Sequence, residues 1–522
     1  MQSPPIKRAL ISVSDKLGLA GFARGLVDAG VEIFSTGGTR KHLESEGIPV
    51  RDIAQYTGFP EMMHGRLKTL HPKVFGGILW RHDNPEDQKA LDEHGILSFE
   101  LIVVNLYPFA ATVARPGVTK DEAIEQIDIG GPSLVRAAAK NHKFVTVATR
   151  PEQYSAILEQ ITTHGGTRLE LRERLAGEAF SHTARYDQAI ADYFAGLKAE
   201  GPFPASLHLK LTRKTVLRYG ENPHQQAALY AKPECPSASL AEAIQLNGKE
   251  LSYNNLLDLD SALGIVRMFG EPAAAVIKHN NPCGAARADT LAEALKNAMA
   301  GDPLSAFGSV LGLNRVMDAA TAEVLCEPGL FVEAIVAPDF APEAVELLTT
   351  KPKWKANVRL MKVGDLGESQ GRWALRYIEG GILMQEADIL PDPENEWRVV
   401  TAAKPTAGQM VDLRFAWEIV RHVKSNAIVL AKNRMLLGTG AGQMSRVDSV
   451  EIAIKKAAER AAGSVLASDA FFPFPDSIER AAGAGVAAVI QPGGSRNDEK
   501  VIAACNQFGL PMIFTGRRHF KH

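Results

Sequence analysis

Lys278, His279, Asn280 and Asn281 follow directly on an apolar run and are closed off by Pro282, Cys283 and Gly284. An ammonium, an imidazole and two amides are costly to hold beside a core unless they are paired or used. The imidazole can take up a proton near neutral pH, and the ammonium can stabilise negative charge. Proton transfer beside a developing anion is the chemistry this set can do. A satisfied surface turn ended by Pro282 accounts for the same residues equally well.

A second group gathers near the amino terminus. Ser12, Ser14, Asp15 and Lys16 lie where a strand should pass into a helix, and Thr36, Gly37, Gly38 and Thr39 repeat the arrangement after the next strand. Free backbone N–H groups and the helix dipole favour an anion at such places, and glycines let it approach closely. Singly, each is more often plain capping; two in succession point toward phosphate. Arg66, Leu67, Lys68, Thr69, His71 and Lys73 bring several donors into a segment where Pro72 opposes a regular helix. A solvated basic loop is the alternative. Asn105 and Tyr107 end an apolar strand, and Asp128, Ile129, Gly130 and Gly131 lead into a helix carrying Arg136 and Lys140. A carboxylate, a phenol and ammonium groups around one phosphate pocket would supply proton transfer and oxyanion stabilisation without metal. Asp128 also suits a simple turn.

Three further clusters belong to the second part. Arg218, Tyr219, Asn222, His224 and Gln225 crowd one turn, where Arg218 can grip a phosphate bidentately. Phe471, Phe472 and Phe474 interleave with Asp469 and Asp476, an aromatic wall beside acids that suits a flat heterocycle as well as it suits core packing. Gly438, Gly440 and Gly442 lack the spacing of a dinucleotide loop, so no nicotinamide cofactor is expected.

The elements that must position these groups alternate. Strand-like runs at 8–13, 31–36, 101–106 and 144–148 are interleaved with helical patterns, which implies a mostly parallel sheet with helices packed on it. From 151 to about 200 the pattern is helical, and Gly201, Pro202 and Pro204 then break it. Beyond that point 273–277 and 427–430 are short apolar strands, each running into a Lys-polar-Asn cluster, then a glycine, a helix and a Ser-containing aromatic segment. This repeated order suggests two related αβ lobes, although common αβ units also resemble one another by chance.

With 522 residues, 45% hydrophobic and 23% charged, the chain is a globular protein of several domains. A net charge of -2 gives no global attraction for nucleic acid or an anionic membrane. Cys235, Cys283, Cys326 and Cys505 form no C-x-x-C pair, so neither a disulfide framework nor a Cys-rich zinc site is expected. The start of the chain lacks the apolar core of a signal peptide, and the expected location is cytoplasmic.

These segments together resemble, across nearly the whole chain, the bifunctional AICAR transformylase/IMP cyclohydrolase family of purine biosynthesis. The likeness rests on Ser-Val-Ser-Asp-Lys at 12–16, Arg-Leu-Lys-Thr-Leu-His-Pro at 66–72, Asn-Leu-Tyr-Pro-Phe at 105–109 and Asp-Ile-Gly-Gly at 128–131. It continues with Leu-Arg-Tyr-Gly-Glu-Asn-Pro-His at 217–224, Lys-His-Asn-Asn-Pro-Cys-Gly at 278–284, Ser-Asp-Ala-Phe-Phe-Pro-Phe at 468–474 and Arg-His-Phe at 518–520. The resemblance implies an α/β protein. A methylglyoxal synthase-like, parallel-sheet cyclohydrolase domain over 1–150 would be followed by a helical connection over 151–205. Duplicated cytidine deaminase-like α/β lobes over 206–522 would form the transformylase part.

It further implies formyl transfer from 10-formyltetrahydrofolate to AICAR, then closure of formyl-AICAR to IMP with loss of water, in a homodimer whose transformylase sites are completed across the interface. Neither a catalytic metal nor a nucleic-acid or membrane partner is implied, and a structural monovalent cation is compatible with it. By motif match, Ser14, Asp15, Lys16, Thr36, Gly37, Gly38, Thr39, Arg66, Leu67, Thr69, Asn105 and Ile129 bind the nucleotide, while Lys68, Tyr107, Asp128 and Lys140 close the ring. His279 is implied as the proton acceptor, with Lys278 and Asn433 on the formyl oxygen. Arg218, Tyr219, Gly308, Glu333, Phe471 and Arg518 are implied to hold AICAR, and Val447, Asp476, Ser495 and Arg496 to face the folate. Asn280 and Pro475 depart from the family's usual residues, as do Leu304 and Ser309, which bears on folate affinity and loop shape more than on the reaction. A nucleotide-sensing module without turnover is the competing reading, and it leaves Lys278 and His279 unexplained. A deaminase fails on chemistry, because the sequence offers no zinc-ligand set.

Overall fold

The computed structural model describes residues 4–197, 201–232, 238–367 and 373–522, and it divides into two compact units, residues 1–208 and 209–522. The boundary expected near 200 falls beside residues 198–200, outside the described residues, as does Cys235. Among the described residues no helix is long and apolar enough to cross a membrane.

In the first unit, strands β1 (Arg8–Val13), β2 (Glu32–Ser35), β3 (Arg51–Asp52), β4 (Leu101–Asn105) and β5 (Thr146–Ala148) form one sheet in the order β3-β2-β1-β4-β5. All its pairings are parallel. Leu10, Ile11, Ile33, Phe34, Ile102 and Val103 are buried, the near-continuous apolar runs that a sheet covered on both faces requires. The helix Leu19–Asp28 buries Leu19, Phe22, Ala23 and Leu26, one stripe at helical spacing. Helices Tyr154–His164 and Leu169–Gly196, within the stretch expected as a connection, add Tyr154, Ile157, Ile161, Leu171, Leu175 and Ala179 to this same core. The strand order reverses between β1 and β4. Outside the carboxyl ends of those two strands, open α/β sheets leave a crevice.

The second unit opens with a hairpin of β6 (Thr212–Leu217) and β7 (Ala227–Ala231). Its main sheet takes β8 (Ile244–Asn247), β9 (Ala273–Lys278), β10 (Asn281–Arg287), β11 (Ser309–Leu313), β12 (Val332–Ala337) and β13 (Arg359–Lys362) from one half. A separate hairpin follows, β14 (Trp373–Ile378) with β15 (Gly381–Glu386). The other half supplies β16 (Arg398–Val399), β17 (Ile428–Lys432), β18 (Met435–Gly440), β19 (Val465–Ser468), β20 (Ala488–Gln491) and β21 (Met512–Phe514).

The twelve strands run in the order β16-β21-β20-β19-β17-β18-β10-β9-β11-β12-β13-β8, so each half repeats the other about the central β18/β10 pair. Parallel and antiparallel neighbours match as well: β9 is antiparallel to β10 and β11, as β17 is to β18 and β19. The repeat suggested by the sequence is therefore a duplicated topology. One core spans both lobes on one face, where Phe269 stacks on Phe415 at 5.8 Å, and each lobe has its own core on the other.

Candidate functional site

The crevice of the first unit is a cavity of about 590 Å³. Asn105, the last residue of β4, spans the switch point: its Oδ1 accepts Ser14 N–H at 2.5 Å, Ser14 Oγ at 2.9 Å and Asp15 N–H at 3.0 Å. Thr39, from the helix Gly37–Ser45, accepts Val13 N–H at 3.1 Å, and Lys16 Nζ donates to Thr39 Oγ1 at 3.1 Å and to the Val13 carbonyl. Burial lowers the Lys16 pKa against the opposing pull of Asp15. An ammonium at a helix start with free N–H groups is an anion seat.

Across the cavity, Lys68 Nζ is 2.9 Å from Glu61, and Arg66 pairs with Glu125, whose hydrogen bond and charge raise the guanidinium's pKa. Gly37, at φ 44°, keeps the space beside Lys68 open, since a Cβ there would come within 3.4 Å of the ammonium. Asp128 sits mostly out of water. Burial raises its pKa, while the N–H of Gly131 at 2.8 Å, the Tyr107 backbone and the Lys68 charge pull it back. Its own N–H donates to Tyr186 Oη at 2.6 Å, and that hydroxyl donates to the Gln126 carbonyl at 2.9 Å. Tyr186, which no motif reading singles out, thus fixes the Asp128 turn from the long helix Leu169–Gly196. Only its place on that helix's buried face signals it in the sequence.

Ser14, Lys16, Thr36, Gly38, Thr39, Arg66, Lys68, Thr69, Asn105, Tyr107, Asp128 and Ile129 line this cavity. Asp15, Gly37 and Leu67 are chain neighbours of lining residues. Lys140 is not brought in: it ends the helix Gly130–Lys140, roughly 15 Å along the axis from Gly130 at 1.5 Å per residue. Gly131 has no room for a side chain, because a Cβ would fall 2.3 Å from Asp128 Oδ2 and 2.9 Å from Leu106 Cδ2. Gly131→Ala is expected to displace the carboxylate and destabilise the first unit by ~1–3 kcal/mol, the usual cost of overpacking, read from its thermal unfolding.

In the second unit Lys278 ends β9, and its Nζ donates to the carbonyls of Phe307 at 3.1 Å and Gly308 at 2.7 Å. Gly308, at φ 67°, makes that approach possible; a Cβ there would meet the ammonium at 3.3 Å. His279 is exposed at the hairpin tip, and Glu333, at the same end of the sheet on β12, one strand beyond β11, pairs with the buried Arg359 at 2.8 Å. Lys432 repeats Lys278, donating to the Ala462 carbonyl at 3.0 Å beside Gly463 at φ 74°. Lys278 and Asn433 thus sit on the two equivalent halves of a duplicated frame, at adjacent rather than matching positions. Lys278 matches Lys432, and His279 matches Asn433.

Phe471 follows β19, Arg518 follows β21 and packs on Phe520 at 4.5 Å, and Val447, Asp476, Ser495 and Arg496 sit at or just before helix starts. All gather at the end of the sheet marked by Ile428, Gly440 and Ser468, where the buried Arg446 joins Asp469, Ser468 and Asn426. Thr439 Oγ1 donates to the Pro282 carbonyl at 2.9 Å, so the Lys278–His279 tip is at this end too. Asn433 is at the other: Arg287 N–H donates to Arg434 O at 3.1 Å, with β10 running from Asn281 to Arg287 between the two tips. At ~3.3 Å per residue they are about 20 Å apart or more. Arg218 and Tyr219 form an exposed pair, Nη2 to Oη 2.8 Å, on the turn after β6. Among the described residues, no group of three or more His, Cys, Asp or Glu is arranged to hold a metal ion.

Comparison with known proteins gives two family matches, an MGS-like domain over residues 18–133 and the AICARFT/IMPCHase bienzyme over residues 138–456. The chain is 65% identical over 518 residues to a bifunctional purine biosynthesis protein PurH of Rhodopirellula baltica, covering 99% of each. It is 51% identical to a protein of that name from Desulfitobacterium hafniense and 49% identical to one from Bacillus subtilis, covering 99% of this chain and 100% of each relative.

Proposed function

The chain belongs to the AICARFT/IMPCHase bienzyme family, and from that premise we propose which of its residues carry each of two reactions. It is a bifunctional enzyme of de novo purine synthesis, moving a formyl group from 10-formyltetrahydrofolate to AICAR and then closing formyl-AICAR to IMP with loss of water. Its first unit carries the MGS-like domain.

Ring closure is assigned to the first-unit cavity. The observation that carries this is the convergence of an anion seat, Lys16 with Thr39, and the Lys68–Asp128 group in one space of about 590 Å³. The phosphate takes the seat and thereby holds the formyl carbon against the carboxamide nitrogen. A C–N bond forms, the formyl oxygen becomes an alkoxide stabilised by the Lys68 ammonium, and the nitrogen's proton passes to Asp128. The alkoxide takes up a proton to become a hydroxyl; a second proton, with Tyr107 at the cavity's edge, lets the C–O bond break and water leave, while the former formamide nitrogen loses its proton and the C=N bond of the ring forms. Asp128→Asn is expected to slow closure of supplied formyl-AICAR by ~10²-fold or more, the range of general acid–base contributions, with formyl transfer unchanged. Equal loss of both activities in folded protein would remove the assignment.

Formyl transfer is assigned to the Lys278–His279 tip. The AICAR amine attacks the formyl carbon, His279 receives its proton, Lys278 and Asn433 stabilise the oxyanion, and the folate nitrogen leaves with a proton. Gly308, Glu333, Arg218, Tyr219, Phe471 and Arg518 hold AICAR, and Val447, Asp476, Ser495 and Arg496 hold the folate. The separation of Asn433 from Lys278 within one chain, like that of Lys140 from Asp128, supports a homodimer in which a partner subunit completes each site. The shared strand order of the two lobes supports reading them as a duplication of one α/β unit, which the family resemblance describes as cytidine deaminase-like.

A further inference from the structure

The two hairpin tips of the second unit are built on the same unfavourable backbone. His279 (φ 51°) and Asn280 (φ 62°) in one, and Asn433 (φ 53°) and Arg434 (φ 57°) in the other, occupy the left-handed region at both central positions of a two-residue turn. That geometry matches the twist of a hairpin, but it favours glycine, because a Cβ crowds the next carbonyl. Neither turn contains glycine at these positions.

Each is instead held by one carboxylate from the helix that precedes its strand. Asn280 N–H donates to Asp258 Oδ1 at 2.7 Å. Asn433 N–H donates to Asp412 Oδ2 at 2.9 Å, and Arg434 N–H to Asp412 Oδ1 at 2.7 Å. Asp258 and Asp412 are each the sixth residue of their helices, Tyr253–Val266 and Ala407–Val420, and each lies 20 residues ahead of the lysine that ends the strand (278 − 258 and 432 − 412). Hydrogen bonds from backbone N–H groups to a carboxylate are among the stronger kind and compensate a strained turn.

We propose that Asp258 and Asp412 are positioning residues for formyl transfer, each clamping a non-glycine left-handed turn so that its first residue, His279 or Asn433, is presented in one orientation. The proposal rests on the reading of His279 and Asn433 as members of the transfer site. Neither aspartate needs to touch a substrate. The duplication of clamp and turn in two lobes whose tip residues differ marks the clamp as part of the frame, and the tip residue as what was specialised on it.

The test separates local backbone control from a general structural role. Asp258→Ala is expected to lower kcat for formyl transfer by ~10-fold or more, with a smaller change in KM for AICAR and no change in closure of supplied formyl-AICAR. A misplaced proton acceptor costs rate more than binding. Adding Asn280→Gly to Asp258→Ala should recover most of the lost kcat, since glycine adopts the turn unaided. Asp412→Ala and its double variant with Arg434→Gly should behave alike. Should an alanine variant fail to fold, the same comparison is read with Asp258→Leu, which is close in size but accepts no hydrogen bond, its fold checked by thermal unfolding. Wild-type kcat in Asp258→Ala, or a loss that glycine does not relieve, would overturn the proposal. Undiminished transfer by His279→Ala would instead remove the assignment on which it rests.

Discussion

Replacing His279 by alanine is expected to lower formyl transfer by ~10²–10⁴-fold, the contribution typical of a proton-transfer side chain, while closure of supplied formyl-AICAR proceeds at the wild-type rate. In energy this is about 3–5 kcal/mol of barrier at 1.36 kcal/mol per tenfold. The imidazole stands exposed at the β9–β10 tip, so its removal deprives no core of packing. On the assignment proposed above, ring closure belongs to the first unit, whose hydrophobic core is made of residues from Ile6 to Tyr186, so the two activities should part cleanly. Two assays on one preparation decide the matter, one starting from AICAR and 10-formyltetrahydrofolate and one from formyl-AICAR. Loss of both activities in a well-folded variant would refute the separation.

The second large effect comes from mixing two inactive proteins. Asn433 and His279 lie at opposite ends of the β10/β18 pair, too far apart in one chain to act on one formyl group. In a two-fold symmetric dimer the same site occurs twice, so a heterodimer of His279→Ala and Asn433→Ala subunits has one site with both defects and one with none. Random reassortment makes half the dimers mixed, so the mixture should regain about a quarter of wild-type transfer, although each variant alone is nearly inactive. Differently tagged subunits, co-expressed and assayed before and after separation of the mixed species, give the measurement. Recovery absent from the isolated mixed dimer would place both residues in one chain's site or remove Asn433 from the chemistry. A monomer in sedimentation would end the dimer reading altogether.

How much of this was legible beforehand differed by element. The strands read at 8–13, 101–106 and 273–277 appear at Arg8–Val13, Leu101–Asn105 and Ala273–Lys278, because buried strands of a covered sheet write continuous apolar runs. β10 was invisible. Asn281–Arg287 reads as Pro, Gly and small residues, and the reason is contact with a helix: a Cβ on Gly284 would fall 1.9 Å from the Ala298 carbonyl. β3, two residues long, carries no pattern at all. Asp258, Asp412 and Tyr186 went unread because each acts on a turn distant in sequence through a single hydrogen bond or two, and nothing local distinguishes such a residue from any other on its helix.

By itself, then, the sequence determined the covalent inventory and its local habits. Those include the anion-seat residues at two strand ends, the Lys-polar-Asn clusters after two apolar strands, and an order of motifs that identifies the family. Only the tertiary structure decided which of these groups meet. It closed Asn105 onto Ser14 across the switch point, fixed the turn of the half-buried Asp128 against Tyr186, and left Lys140 outside the cavity. It also matched His279 with Asn433 as the tips of two duplicated hairpins and set them at opposite ends of one sheet. The reason is physical. Periodicity and turn chemistry act between residues a few places apart, whereas strand order and register set distances between residues far apart in the chain, and proton transfer depends on those distances.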